Sequence, residues 1–233
     1  MSVKVGILHI HGMSKNKEGS HEELIGNIKK HTKLELKVRP VYYYEEMQAN
    51  QDAMLRRMGN IGLDKCRSFV ISSLGDVGTV GYNEAPYRDT MARIKNGFED
   101  LSDCTFIAAI THSFGAQVLS CYIWDEMKAG NKFEDLQFWF STGCNIPAFV
   151  SGMAEDRICP IRKPHPTFKW INFWAATDIL GFPLKPINAA YSALVEDVKV
   201  DSLIPFLSHS TYDGKREVYK RIAKELNSES LFY

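Results

Sequence analysis

Thr111-His112-Ser113-Phe114-Gly115 sets a serine between a buried-looking apolar run and a segment with helical spacing. A serine on a tight strand-to-helix turn is held strained with its hydroxyl clear of the sheet, and small neighbours let the helix double back on the strand. Gly115 meets that need, and Thr111 meets it in part. A free serine is a poor nucleophile at neutral pH. It needs a base to take its proton and a third group to orient that base. Seven histidines are available as the base. A second pattern competes with the first. His9-x-His11 at the end of a strand presents two imidazoles on one face, as a metal-dependent hydrolase does when it grips zinc or a similar ion. That reading conscripts His112, Asp178 and His209 as further ligands. It also asks for a barrel of about 250 residues with eight strands, and only six or seven strand signals are present.

The elements that must position these groups follow from hydrophobic period. Val3 to Ile10 is a short, nearly continuous apolar run rich in β-branched residues, the pattern of a strand covered on both faces. Cys104 to Thr111, Leu136 to Ser141 and Phe168 to Ala176 resemble it. Leu34 to Tyr43 alternates more and belongs nearer an edge, and Val195 to Val200 is a weaker strand. Between them the period becomes helical. Ala116 to Lys128 puts Leu119, Ile123 and Met127 on one face, and Gly130-Asn131 ends the helix. Ser20 to Lys30 is a second helix, with Ser20 as N-cap and Glu23 in the capping-box position. A last helix carries Val218, Ile222 and Leu226 on one face, with Asp213 as its cap. This alternation predicts right-handed βαβ units: an α/β fold with a mainly parallel central sheet and helices on both faces, a three-layer α/β/α architecture.

Length and composition agree with one domain over residues 1–233. The chain is 45% apolar and 24% charged, enough to bury a core without metal or disulfide support. Twenty-eight basic residues balance twenty-eight acidic ones, so no overall field gathers nucleic acid or an anionic membrane. No apolar run reaches the roughly 18 to 20 residues of a membrane span, and the opening residues lack a basic leader, so a cytoplasmic protein is expected. The five cysteines (Cys66, Cys104, Cys121, Cys144, Cys159) are odd in number and form no C-x-x-C pair, which suits reduced thiols and no zinc site. Cys104 reads as packing, and Cys144, just past a strand end, is less settled. Neither dinucleotide nor phosphate-loop glycine spacing follows the first strand. The Gly75 to Gly81 stretch has the wrong spacing for either, and is read as a loop bordering the cleft, with Tyr82 and Tyr87 as wall residues. Asn145 to Pro166 carries four prolines and no clear period. It reads as a lid-like excursion over the cleft (145–166), with a plain surface loop as the alternative.

The serine turn and the order of elements resemble the α/β-hydrolase superfamily, whose nucleophile elbow is usually G-x-S-x-G; here Thr111 replaces the first glycine. The resemblance spans about Val3 to Leu226. It implies a serine hydrolase acting on a carboxylic ester or related acyl bond, a small-molecule substrate, without cofactor or metal. Ser113 is then the nucleophile. The family's histidine, expected after the last strand and before the last helix, falls on His209. Its acid falls on Asp178 after the Trp170 to Ala176 run, with Asp197 and Asp201 in reserve; a turn-capping aspartate is the plain alternative for Asp178. The oxyanion donors become the N–H groups of Phe114 and of Met13, the latter in a His11-Gly12-Met13 loop that resembles the family's H-G-x turn. His11 braces that loop. Gly12 lets the backbone approach, and Lys15, Asn16 and Lys17 form the outer lip. His11, Gly12, His112, Phe149, Met153, Ile179 and Leu180, with Phe182, are the expected substrate-binding residues, suited to an apolar acyl or alcohol group. A binding protein that keeps the fold without the reaction is the alternative from another class.

Overall fold

The computed structural model describes residues 3–12, 19, 21–43, 84–201 and 208–228. Six strands, β1 (Lys4–Ile10), β2 (Glu35–Val41), β3 (Phe106–His112), β4 (Leu136–Thr142), β5 (Lys169–Trp174) and β6 (Val195–Lys199), form one sheet. Every pairing is parallel, and the order is β2-β1-β3-β4-β5-β6. The strand expected nearer an edge, β2, and the weaker strand, β6, are the two edges. The order reverses between β1 and β3, and open α/β sheets bind ligands beside such a switch point, at the carboxyl ends of the strands.

The apolar runs are continuous because both faces are covered. Val5 and Ile7 of β1, Phe106, Ala108 and Ile110 of β3, and Phe138 and Phe140 of β4 face one core. There they meet Leu24, Ile25 and Ile28 of α1 (Glu22–Lys29) and Val218, Ile222 and Leu226 of the last helix, α6 (Arg216–Leu226). The alternate residues Leu8, Ile10, Ile107, Ala109 and Trp139 face the other core. They meet Ile94 of α2 (Glu84–Asp100) and Phe114, Val118, Leu119 and Ile123 of α3 (Phe114–Lys128). This is the three-layer arrangement that the period-2 strands and period-3.6 helices require.

Several local expectations shift. Ser20 lies outside the described residues; His21 occupies the cap position of α1 and makes no side-chain cap bond. Asp213 does not cap α6. It belongs to a short 3₁₀ turn, Tyr212–Gly214, and Lys215 directly precedes the helix, because that turn aims the Tyr212 hydroxyl back at Asp178. The 17-residue α2 had no counterpart in the sequence reading. Tyr87, expected on a cleft wall, sits on α2 and donates from its hydroxyl to Asp125 Oδ2 on α3 at 2.6 Å, so it braces two helices. The Gly75 to Gly81 stretch and Tyr82 lie outside the described residues. The excursion contains α4 (Ile146–Val150) and a 3₁₀ turn, Glu155–Arg157; residues 151–157 are exposed, while Ile146 and Ile161 are buried in the α2–α3 core. A further helix, α5 (Ala189–Leu194), leads into β6. Among the described residues no helix is long and apolar enough to cross a membrane.

Gly115 is where the first turn of α3 meets the end of β1. A Cβ there would lie 2.6 Å from the carbonyl oxygens of both Ile10 and His11, and a backbone cannot give way as a side-chain tip can. Gly115→Ala is therefore expected to lose about 1–3 kcal/mol of stability through overpacking, seen as a lower urea midpoint; a midpoint equal to wild type would refute the close approach.

Candidate active site

β3 delivers the elbow. Its last residue is His112, and Ser113 follows with φ 52° and ψ −126°, the one non-glycine residue with positive φ among those described. Such a conformation costs of order 1–3 kcal/mol and persists only where its surroundings impose it. They do so from three sides. The Ser113 N–H donates to Thr142 O of β4 at 2.9 Å. Gly12, beside β1, leaves room that a Cβ would fill at 2.7 Å from Ser113 Cβ. Gly115 admits the helix. Thr111, two residues before the serine, is fully buried, and its Oγ1 accepts from Trp139 Nε1 of the neighbouring strand at 2.9 Å. The larger residue is accommodated because its hydroxyl is used.

The structure brings Ser113, His209 and Asp178 into one hydrogen-bonded line. His209, in the turn Ser208–Ser210, has Nε2 2.8 Å from Ser113 Oγ, and its Nδ1 lies 3.0 and 2.9 Å from the two Asp178 carboxylate oxygens. A nitrogen facing a carboxylate carries the proton, so Nδ1–H donates to Asp178 and Nε2 accepts from the serine hydroxyl. All three residues are buried. Asp178 also closes its own turn, its Oδ1 accepting from Leu180 N–H at 2.9 Å, so the turn-capping reading and the histidine contact coexist on one carboxylate. Burial alone would raise the Asp178 carboxyl, but the hydrogen bonds from His209, Leu180 and Tyr212 outweigh it and hold the group below its ordinary value.

Three supporting residues escaped the sequence reading. Tyr212 donates to Asp178 Oδ2 at 2.8 Å and accepts from Ala175 N–H at 3.0 Å; its only signal was its place three residues after His209. Gly143, with φ 56°, leaves space that a Cβ would fill about 3 Å from Tyr212, Asp178 and His209 together. At Gly181 a Cβ would overlap Asp178 Oδ2. The reserve acid Asp197 is spent elsewhere, since it accepts from Asn172 Nδ2 at 2.8 Å and from Leu184 and Lys185 N–H at 3.0 and 2.8 Å, tying down the loop that follows Asp178. Asp201 is exposed and bonded through its backbone to Glu217 and Lys215.

The other expected residues are placed as follows. His112 lies with its ring 4.8 Å from that of His209 and its Nδ1 3.0 Å from Thr142 Oγ1. Burial first, and then neighbouring His209, push it down to about 3, so it is neutral near pH 7. His11 is buried with its ring stacked 4.9 Å from Tyr43, whose hydroxyl donates to His11 O at 2.8 Å. Phe149 of α4 packs its ring 5.4 Å from Phe114. Leu180 is half-buried, whereas Met153 and Ile179 stand 46% and 45% exposed. Met13, Lys15, Asn16 and Lys17 lie outside the described residues, as does Cys66. Cys144 is fully buried, and burial pushes its thiol up to about 12, the behaviour of a packing residue.

His9 and His11 look to different neighbours. His9 faces His21, ring centroids 5.7 Å apart, while His11 stacks on Tyr43. Among the described residues no three His, Cys, Asp or Glu side chains converge as metal ligands.

No family model matches the chain, and no curated protein matches it in sequence. Solved structures do. The chain is similar to a metagenome-derived lipolytic enzyme of the LipS and LipT pair, with a TM-score of 0.54 and 10% identity over 97% of this chain and 94% of that one. It is also similar to a candidate esterase from Staphylococcus aureus, with a TM-score of 0.56 and 11% identity over 96% of this chain and 76% of that one. At such identity the likeness is one of architecture, and it is that of the α/β-hydrolase fold.

Two outcomes follow from this geometry. Gly181→Ala drives a methyl group into Asp178; it is expected to reduce any turnover that depends on this line at least about tenfold while leaving the circular dichroism unchanged, since displacements near 1 Å are that costly. Unchanged turnover would deny Asp178 its place. The second concerns stability. Burial holds His9, like His112, at about 3 against an ordinary 6.5. Between those values the unfolded chain binds more protons than the folded one, so stability is full above about pH 6.5 and drains away as pH falls toward 3. His9→Gln should flatten the fall in melting temperature between pH 6.5 and 4, and an identical slope would contradict the assignment.

Proposed function

We propose that the chain is a serine hydrolase that cleaves a carboxylic ester, or a closely related acyl bond, through an acyl-enzyme. One observation carries the reading: a serine hydroxyl in a strained elbow lies 2.8 Å from an imidazole whose far nitrogen rests on a buried carboxylate. Nothing in folding requires a serine to be aimed this way, and nucleophilic acyl transfer uses a hydroxyl activated by such a base and orienting acid.

In this scheme Ser113 Oγ bonds to the acyl carbon as its proton passes to His209 Nε2. Asp178 stabilises the imidazolium and keeps the ring oriented. Negative charge gathers on the carbonyl oxygen beside the Phe114 N–H. That group is the first amide of α3, one that a helix leaves without an internal partner and that sits at its positive end. Met13 N–H is the proposed second donor; each well-aimed donor contributes about 3 kcal/mol. His209 then gives its proton to the departing alcohol. Water enters, repeats the attack with His209 as base, and frees the acid and Ser113. The scheme calls on no metal or cofactor.

Apolar surroundings support an apolar ester. Phe149 rests on Phe114, next to the nucleophile. A cleft of about 330 Å³ between α4 and the loop after Asp178, lined by Val150, Ile158, Phe182 and Ile187 among others, has room for an acyl or alcohol chain. Residues 145–166 pinned at both ends and exposed in the middle fit a lid on a single domain of residues 1–233. The free thiols among the described residues, Cys104, Cys121, Cys144 and Cys159, suit the reducing cytoplasm.

Hydrolysis of p-nitrophenyl butyrate tests the reading. Wild type should turn it over, and Ser113→Ala, His209→Ala and Asp178→Asn should each lower kcat by about three to four orders of magnitude, with far-ultraviolet circular dichroism unchanged. Wild-type rates in Ser113→Ala or His209→Ala would overturn it.

A further inference from the structure

At the end of the sheet opposite Ser113, where β3 and β4 begin, a cavity of about 360 Å³ opens between the C-terminal turns of α2 and α3. The proposed reaction makes no use of it. Its wall is aromatic: Phe98 of α2 stacks against Tyr122 of α3 with centroids 5.8 Å apart, and Phe133 meets them at 5.3 and 5.9 Å, edge to face. Its rim is acidic. Lys95 and Lys132 lie there beside Glu99 and Glu134, at 3.9 and 3.3 Å. That leaves Glu126 and Asp135 with no basic partner within 4 Å among the described residues; Glu126 accepts only from Asn131 Nδ2, at 2.6 Å. Two helices also end here, and their carbonyl ends add negative potential.

Tyr122 forms part of the same wall. The residue is 5% exposed and lines the cavity, yet its hydroxyl has no hydrogen-bond partner among the described residues. That hydroxyl opens onto the cavity, where it can meet a ligand. Burial, together with Glu126 and Glu99, pushes this group up to about 12, so near pH 7 it is an uncharged hydroxyl with lone pairs free to accept.

We propose that this cavity binds a primary organic ammonium ion with a compact apolar body. The ammonium N–H groups donate to the Tyr122 hydroxyl and to the carboxylates of Glu126 and Asp135, and the body lies on Phe98 and Phe133, where an aromatic wall also favours a cation. The site is separate from the proposed hydrolase site and does not depend on it.

Titration calorimetry on the full chain near neutral pH and at low salt tests this, with benzylamine as probe and benzyl alcohol as its uncharged counterpart. Benzylamine should bind saturably at one site, and benzyl alcohol at least about tenfold more weakly, as expected for hydrogen bonds to a charged group. Tyr122→Phe, which keeps the ring, and Glu126→Gln should each weaken benzylamine by about tenfold on the same grounds, while Ser113→Ala leaves it unchanged. Melting curves verify that each variant is folded. Absence of saturation in the millimolar range, equal binding of the alcohol, or wild-type binding in both cavity variants would overturn the proposal. So would loss of binding in Ser113→Ala, which would put the amine at the elbow.

Discussion

The site depends on how closely a helix can approach the carbonyl end of a neighbouring strand. At Gly115 the backbone of α3 comes within side-chain distance of the Ile10 and His11 oxygens, and at Gly12 the β1 loop presses back on Ser113. Ser113 is caught between these contacts and its own hydrogen bond to Thr142 O, and takes up a positive φ that an isolated serine avoids. Strain here is a consequence of packing. It aims the hydroxyl at His209 Nε2, with the first amide of α3 beside it.

The acid side is secured by different means. Asp178 leaves the end of β5 on a loop that would otherwise be loose, and a buried polar network fixes it. Asn172 of β5 spans to Phe182 O and Asp197 of β6, and Asp197 in turn holds the amides of Leu184 and Lys185. Trp170 Nε1 and Ser141 extend this network under the sheet, beside a parallel stack of Trp139 on Trp170 at 3.8 Å. Tyr212 and the space at Gly143 and Gly181 complete the grip. A rigid sheet therefore positions the serine directly, whereas the carboxylate is positioned through side-chain bonds, whose geometry is less forgiving of substitution.

The buried strands were readable because both faces of each are covered, which leaves a continuous apolar run in the sequence. The serine turn was readable from its position between a continuous apolar strand and a segment with helical spacing. The placement of His209 and Asp178 rested on a family's chain order, and the meeting of their side chains is a three-dimensional fact that spacing does not contain. Helix α2 went unread because Pro86 and Gly97 interrupt its pattern, although Tyr87, Met91, Ile94 and Phe98 keep helical spacing. Gly97 lies close against the sheet, where a Cβ would come 2.6 Å from Leu8 Cδ1 and 3.2 Å from Val41 Cγ2. Tyr212 was equally hidden, since its partner lies 34 residues away. Asp213 looked like a helix cap because local sequence does not reveal that the preceding residue is needed to hold a carboxylate.

The most direct measurement is peptide mapping by mass spectrometry after reaction with a fluorophosphonate, which bonds covalently only to a hydroxyl activated as a nucleophile. The account predicts one adduct per chain, on the peptide containing Ser113, formed far more slowly when His209 is replaced by alanine. An intact, folded protein that takes up no label, or that carries it on another residue, would contradict the account.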